Sequence, residues 1–133
     1  MINKTSKFTK VSNAKCDLIF FNKIRSFIKN LDRVFFLIGK KNCTRGDHAH
    51  KECTQFFFSL KSNVTIIANN GKKEKKIILK YGQIIKIEPL TWVKIRLDKG
   101  QIVGVFCNKK YSKKDYIRNY NIFLKLIKKK SEF

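Results

Sequence analysis

His48 and His50 are the two histidines of this 133-residue chain, and one residue separates them. In a β-strand, residues two apart face the same side, so a strand here sends both imidazoles into one space. Histidine has the unperturbed pKa nearest neutrality. Two on one face make either half a metal site or a pair of proton-transfer groups. Arg45 lies three residues upstream, on or beside the same strand. Its guanidinium suits an anionic oxygen. Gln55 follows, with an amide that suits an imidazole, a polar ligand or the structure itself.

The elements that must position these groups read as β-strands. Residues 16–21 form a first strand, and 24–28 a short helical turn or loop. Arg33 to Gly39 is β-branched and aromatic and ends at a glycine. After a polar turn, 45–51 carry the histidines and 54–61 carry Phe56, Phe57 and Phe58 in a row. Residues 63–68 and 73–79 flank Asn69-Asn70-Gly71, a strong hairpin signal. Tyr81-Gly82 and Asp98-Lys99-Gly100 turn the chain between strands at 84–87, 91–97 and 101–107. Many short strands at this spacing suggest a sandwich or barrel. The tail changes period. Ser112 is a candidate helix cap, Asp115 stands three residues on, and Tyr116, Tyr120, Phe123, Leu124 and Ile127 fall at helical spacing, so a helix is expected over about 112–130. The whole chain, 1–133, is expected to be one domain.

Composition narrows the classes. Hydrophobic residues make up 43% of the chain, enough for a real core, and the single Pro and six Gly argue against low complexity. No apolar stretch of membrane-spanning length occurs and the N-terminus lacks a signal-peptide core, so a cytoplasmic protein without membrane attachment is expected. The four cysteines (Cys16, Cys43, Cys53, Cys107) are widely spaced and read as free thiols of a reducing compartment. The net charge of +22 invites a nucleic-acid partner. Only five basic residues are arginines, however, and the lysines are scattered without a recognition motif. No nucleic-acid partner is therefore expected; a basic surface still attracts an anionic substrate such as a nucleotide diphosphate.

The segment Arg45-Gly46-Asp47-His48-Ala49-His50-Lys51 with Gln55 resembles the motif of the sugar 3,4-ketoisomerases, which act on thymidine-diphosphate-linked 4-keto-6-deoxy sugars. Three more elements resemble that family in the same order: the strand Arg33 to Gly39, Pro89-Leu90-Thr91-Trp92, and the tail Asp115-Tyr116-Ile117-Arg118-Asn119-Tyr120. The similarity runs in register from about Arg33 to about Phe123. It implies an all-β, cupin-type double-stranded β-helix (a jelly-roll barrel) with a C-terminal α-helix, working as a homodimer with a nucleotide sugar in the barrel. The chain departs from the family in two places. The strand before the motif commonly carries a tyrosine near the sugar; here it reads Phe35-Phe36 and supplies no phenol, and Phe36 is the substrate-contact candidate. Val93 follows Trp92 where relatives often have a polar residue.

The implied reaction moves a carbonyl from C4 to C3. A base takes the C3 proton, an enediol forms, protons pass between the two oxygens, and one returns to carbon at C4. Groups that give and take protons near neutrality are needed. His50 is assigned as the main acid/base at carbon and His48 as its partner at oxygen, an order that reversal would also satisfy. Arg45, Gln55, Trp92 and Phe36 are assigned to substrate binding; for Trp92, stacking on thymine, lining the sugar pocket and simple core packing all fit. Tyr116, Arg118 and Tyr120 are expected to set the helix against the barrel. Proton transfer beside a ketone requires no metal, and no third histidine exists for the usual cupin set. His48 and His50 with Cys43 or Cys53 match no familiar zinc spacing, so no metal and no cofactor are expected. Two other functions remain in view: a 3,5-epimerase on the same scaffold, and a non-catalytic basic barrel that binds nucleic acid.

Overall fold

The computed structural model describes residues 2–132, and for 2–6 the backbone alone. The chain opens with β1 (Ile2–Lys7), β2 (Thr9–Ser12) and β3 (Asp17–Phe20). A single 3-10 turn at Ile24–Ser26 leads into β4 (Arg33–Ile38), β5 (Cys43–His50), β6 (Gln55–Ser59) and β7 (Val64–Asn69). Then come β8 (Glu74–Leu79), β9 (Gln83–Ile87), β10 (Trp92–Leu97) and β11 (Ile102–Cys107). A second 3-10 turn at Lys113–Asp115 precedes the short β12 (Tyr116–Ile117) and α1 (Tyr120–Ser131).

Two five-stranded antiparallel sheets face each other, in the orders β1-β9-β6-β11-β4 and β12-β5-β10-β7-β8, with β2-β3 as a separate hairpin. The expected jelly roll is present: strands adjacent in sequence repeatedly fall in opposite sheets. The main core lies between the sheets. Val64, Ile66 and Ala68 alternate inward on β7, and Val103 and Val105 meet them from β11. The run Phe56-Phe57-Phe58 is explained by a strand buried on both faces. Phe57 enters the inter-sheet core, whereas Phe56 and Phe58 join an outer cluster with Phe8, Ile28, Ile84 and Phe106. Burying each such ring contributes about 1.5–3 kcal/mol. Gly104 is the close-approach position: a Cβ there would run into the Phe58 ring. A third cluster of Ala49, Trp92, Ile117 and Phe123 seats α1 on the barrel.

Two expectations are corrected. The sequence predicts no strand before residue 16, yet β1 pairs with β9. Its mostly polar sequence hides a strand that is formed by backbone pairing at a sheet edge. The helix begins at Tyr120, not near 112. Tyr116 and Ile117 pair instead with His50 and Ala49 of β5, so backbone addition to a sheet edge displaces the helix there. Asn119, rather than Ser112, caps the helix, its side-chain oxygen accepting from the Ile122 N–H at 3.1 Å.

Candidate active site

The site is built on β5, and its geometry depends on one irregularity. Arg45 and His48 are three apart, so a regular strand would put them on opposite faces. Against β10, however, Ile95 pairs with Arg45, Lys94 with Gly46 and Val93 with His48, leaving Asp47 as an extra residue. This bulge restores the phase, and Arg45, His48 and His50 all line one cavity. Gly46 (φ +85°) and Asp47 (φ +61°) both take the left-handed conformation. Only glycine fits at 46, because a Cβ would sit 2.7 Å from the Val93 carbonyl oxygen. The Trp92 indole N–H donates to Asp47 Oδ1 at 3.0 Å and pins the bulge.

The cavity has a volume of about 270 Å³ and lies between the sheets, lined by His48 and His50, by Phe35 and Leu37 of β4, and by Tyr116 and Arg118 of the tail. The imidazole centroids are 5.1 Å apart, and the Tyr116 ring lies 4.8 Å from His48 and 4.4 Å from His50. His50 Nδ1 lies 2.8 Å from Asp115 Oδ2, and the other carboxylate oxygen accepts the Glu52 N–H at 2.7 Å. The β12–β5 pairing sets Asp115 there, and the Lys51 N–H donates to the Asp115 carbonyl at 2.9 Å. With Nδ1 so engaged, His50 Nε2 is buried without a hydrogen-bond partner among the described residues, as is His48 Nδ1. Buried polar atoms are normally paired, so unpaired ones in a cavity mark where a ligand is recognised.

Electrostatics keep both rings neutral. Burial lowers the His48 pKa to about 4, and repulsion from His50 adds to this. Burial also holds His50 below its ordinary value, against the upward pull of Asp115. For Asp115, burial pushes upward but the bonds from His50 and Glu52 outweigh it, so the carboxylate stays ionised. A neutral His50 bonded to an ionised Asp115 carries its proton on Nδ1 and a lone pair on Nε2. That is a base aimed into the cavity, with its tautomer fixed by a carboxylate.

Arg33 Nη2 donates to the Tyr116 hydroxyl at 3.1 Å, and the Arg118 guanidinium sits 4.6 Å from the centre of the Tyr116 ring. Arg33 Nε is also buried without a partner among the described residues. The Cys53 thiol donates to the Thr54 carbonyl at 3.5 Å, and the Gln55 amide lies 3.5 Å from Cys107 Sγ. Interaction with Cys53, together with Gln55 and Arg33, lowers the Cys107 pKa; interaction with Cys107 and burial raise that of Cys53.

Of the residues singled out in the sequence, His48, His50, Arg45 and Gln55 come together around the cavity. Phe36 does not. It is about half exposed (52%), and its ring meets Phe58 at 6.4 Å on the outer face. Phe35, one residue earlier and of opposite phase, occupies the cavity wall in its place. Trp92 also stays out of the cavity: it packs on Tyr120 and Phe123 at centroid distances of 5.1 and 5.4 Å, and core packing with the clamp on Asp47 accounts for it. Sequence reasoning missed Asp115 as a partner of His50, and it gave Tyr116 and Arg118 a structural role although both line the cavity. The signal for all three was present in the tail motif that resembled the family.

Comparison with known proteins places the chain in a family. The family model described as "WxcM-like, C-terminal" (FdtA) matches residues 1–128. The TDP-4-oxo-6-deoxy-alpha-D-glucose-3,4-oxoisomerase of Aneurinibacillus thermoaerophilus is 26% identical over 132 residues, covering 97% of this chain and 95% of that protein. The 3,4-ketoisomerase QdtA of Thermoanaerobacterium thermosaccharolyticum, solved with TDP, superposes with a TM-score of 0.83 at 27% identity, over 97% of this chain and 96% of that one. A histidine-to-asparagine variant of QdtA has been solved with TDP-4-keto-6-deoxyglucose. WlaRA of Campylobacter jejuni, a TDP-fucose-3,4-ketoisomerase, superposes with a TM-score of 0.77 at 26% identity, over 94% of each chain. With a match spanning nearly its whole length, this chain belongs to the WxcM-like, C-terminal (FdtA) family.

Proposed function

We propose that this protein is a 3,4-ketoisomerase of a TDP-linked 4-keto-6-deoxyhexose, with His50 as the base at carbon. One observation carries the reading: His50 Nδ1 is held by Asp115 at 2.8 Å, while Nε2, in the cavity shared with His48, has no partner among the described residues. In this scheme Nε2 takes the C3 proton, acidified by the C4 ketone, and the imidazolium formed is stabilised by Asp115. The C3 hydroxyl then gives up its proton as the C4 oxygen gains one. His50 returns a proton to C4, leaving the ketone at C3. A cavity of about 270 Å³ suits the hexose ring, and the diphosphate falls towards Arg45, which is exposed and lines the same cavity. The chemistry uses side chains alone and draws on no cofactor.

Tyr116 is assigned to the oxygens. Its hydroxyl accepts from Arg33, which leaves its own proton to be donated to the sugar. This supplies the phenol that Phe35 and Phe36 cannot. Tyr116→Phe is expected to lower kcat about 10–100-fold while KM changes little. Exchange of the C3 proton with solvent should survive better than turnover, and NMR of the substrate in D₂O measures both. Equal loss of exchange and turnover would remove Tyr116 from the oxygen step.

A homodimer is part of the same proposal. β4 lies at the edge of its sheet and presents Val34, Phe36 and Ile38, which are 44%, 52% and 63% exposed. An edge strand with an apolar row is a surface that a second identical copy can pair and cover. Phe36→Glu is expected to shift the sedimentation coefficient from dimer to monomer; an unchanged value would place the interface elsewhere.

Product analysis tests the function. Carbon-13 NMR of TDP-4-keto-6-deoxyglucose with the purified protein is expected to show a new carbonyl at C3. Inversion at C5 or C3 with the ketone still at C4 would identify an epimerase instead.

A further inference from the structure

A ring nitrogen of His50, Cys53 Sγ and a carboxylate oxygen of Asp115 all lie within 4.8 Å of one another. The nitrogen on that side is Nδ1, which is 2.8 Å from Asp115. Ligand atoms around a tetrahedral zinc ion stand about 3.4–3.8 Å apart, so a shift of about 1 Å closes the set around a metal. The donors are one sulfur, one nitrogen and one oxygen. Magnesium and calcium take oxygen ligands, whereas this mixed set suits zinc and its thiophilic relatives. His50 and Cys53 both line the cavity, which gives an ion a path inward. The Cys53 thiol donates to the Thr54 carbonyl at 3.5 Å, and both Cys53 and Cys107 are buried.

We propose that His50, Cys53 and Asp115 form an inhibitory zinc site, binding the ion through Nδ1, Sγ and a carboxylate oxygen. Binding releases the Cys53 thiol proton to solvent. It also displaces the Nδ1 proton, and a neutral imidazole ligated at Nδ1 carries its one proton on Nε2. The lone pair that takes the C3 proton is then gone, and the Asp115 contact that fixed the tautomer is broken. Catalysis needs no metal in this account; zinc stops it. The inhibitory half of the proposal rests on the ketoisomerase reading, and the binding half does not.

Cobalt(II) titration of the metal-free protein tests binding without reference to activity. The expected result is a saturable sulfur-to-cobalt charge-transfer absorption at equimolar metal, with the visible bands of a tetrahedral site, competed away by zinc. Cys53→Ser should abolish the sulfur band and weaken zinc binding about 100-fold. Cys16→Ser, on the exposed surface, should leave the band intact. Circular dichroism of the Cys53 variant establishes that it is folded, and Asp115→Asn, which should weaken cobalt binding while keeping the sulfur band, supplies a second variant. Absence of the band in the wild-type protein, or its survival in folded Cys53→Ser, overturns the site. Zinc that binds at Cys53 yet leaves turnover unchanged overturns the inhibition. A protein that gives the band but never isomerises the sugar nucleotide retains the site and loses the ketoisomerase reading.

Discussion

His50→Asn is expected to lower kcat about 10³-fold or more, about 4 kcal/mol of lost transition-state stabilisation, with substrate still bound. Asparagine has a similar shape and leaves the cavity wall in place. It cannot hold a proton taken from carbon. The barrel should stay folded, because the site's shape comes from the β5–β10 register and the Gly46–Asp47 bulge rather than from the imidazole. The measurement is steady-state turnover together with TDP affinity by calorimetry. Loss of affinity parallel to loss of turnover would mean that His50 binds rather than reacts. The corresponding His48→Asn loss should be smaller. Burial lowers its pKa to about 4, so His48 stays neutral, and in the proposed mechanism it serves the oxygens alongside Tyr116.

Asp115→Asn should cost about 10²-fold in kcat with little change in KM, because the carboxylate does not touch the sugar in this account. An amide in its place can donate to Nδ1, which places the ring proton on Nε2 and blocks the base. The pH profile separates this role from a structural one. His50 must be neutral to act, so activity falls as pH drops through its pKa. Burial holds that pKa below the ordinary 6.5, and Asp115 opposes the depression. The wild-type acid limb is therefore expected below pH 6.5, and removing the carboxylate should move it lower still. An unshifted limb with reduced kcat would make Asp115 a mere support of the β12–β5 pairing.

Much of this architecture was legible in the chain. Short apolar runs between turn signals located β7 and β10, Asn-Asn-Gly located the β7–β8 hairpin, and the spacing of His48 and His50 placed both imidazoles in one space. What stayed hidden required three-dimensional pairing. Asp115 is 65 residues from His50, in a tail whose apolar spacing reads as helix, and only the addition of Tyr116 and Ile117 to the edge of β5 brings it to the imidazole. The β4 phase was ambiguous because Phe35 and Phe36 have the same side chain, so composition cannot say which faces in. Pairing decides it: Phe35 lies opposite Val105 of the inter-sheet core, and Phe36 opposite Gly104, where the outer face leaves room for the Phe58 ring. The bulge was equally invisible, although Gly46 gave its one local sign. β1 shows no hydrophobic alternation because backbone pairing at a sheet edge makes the strand.

In the proposed mechanism, a neutral imidazole at position 50 moves a proton between C3 and C4 of a 4-keto-6-deoxy sugar nucleotide. Proton NMR of TDP-4-keto-6-deoxyglucose with metal-free protein in D₂O, beside the His50→Asn variant, addresses it directly. The expected result is loss of the C3 proton signal and a 3-keto product carrying deuterium at C4 with the wild-type protein, and neither with the variant. An unchanged C3 signal with the wild-type protein, or exchange confined to C5, would contradict it.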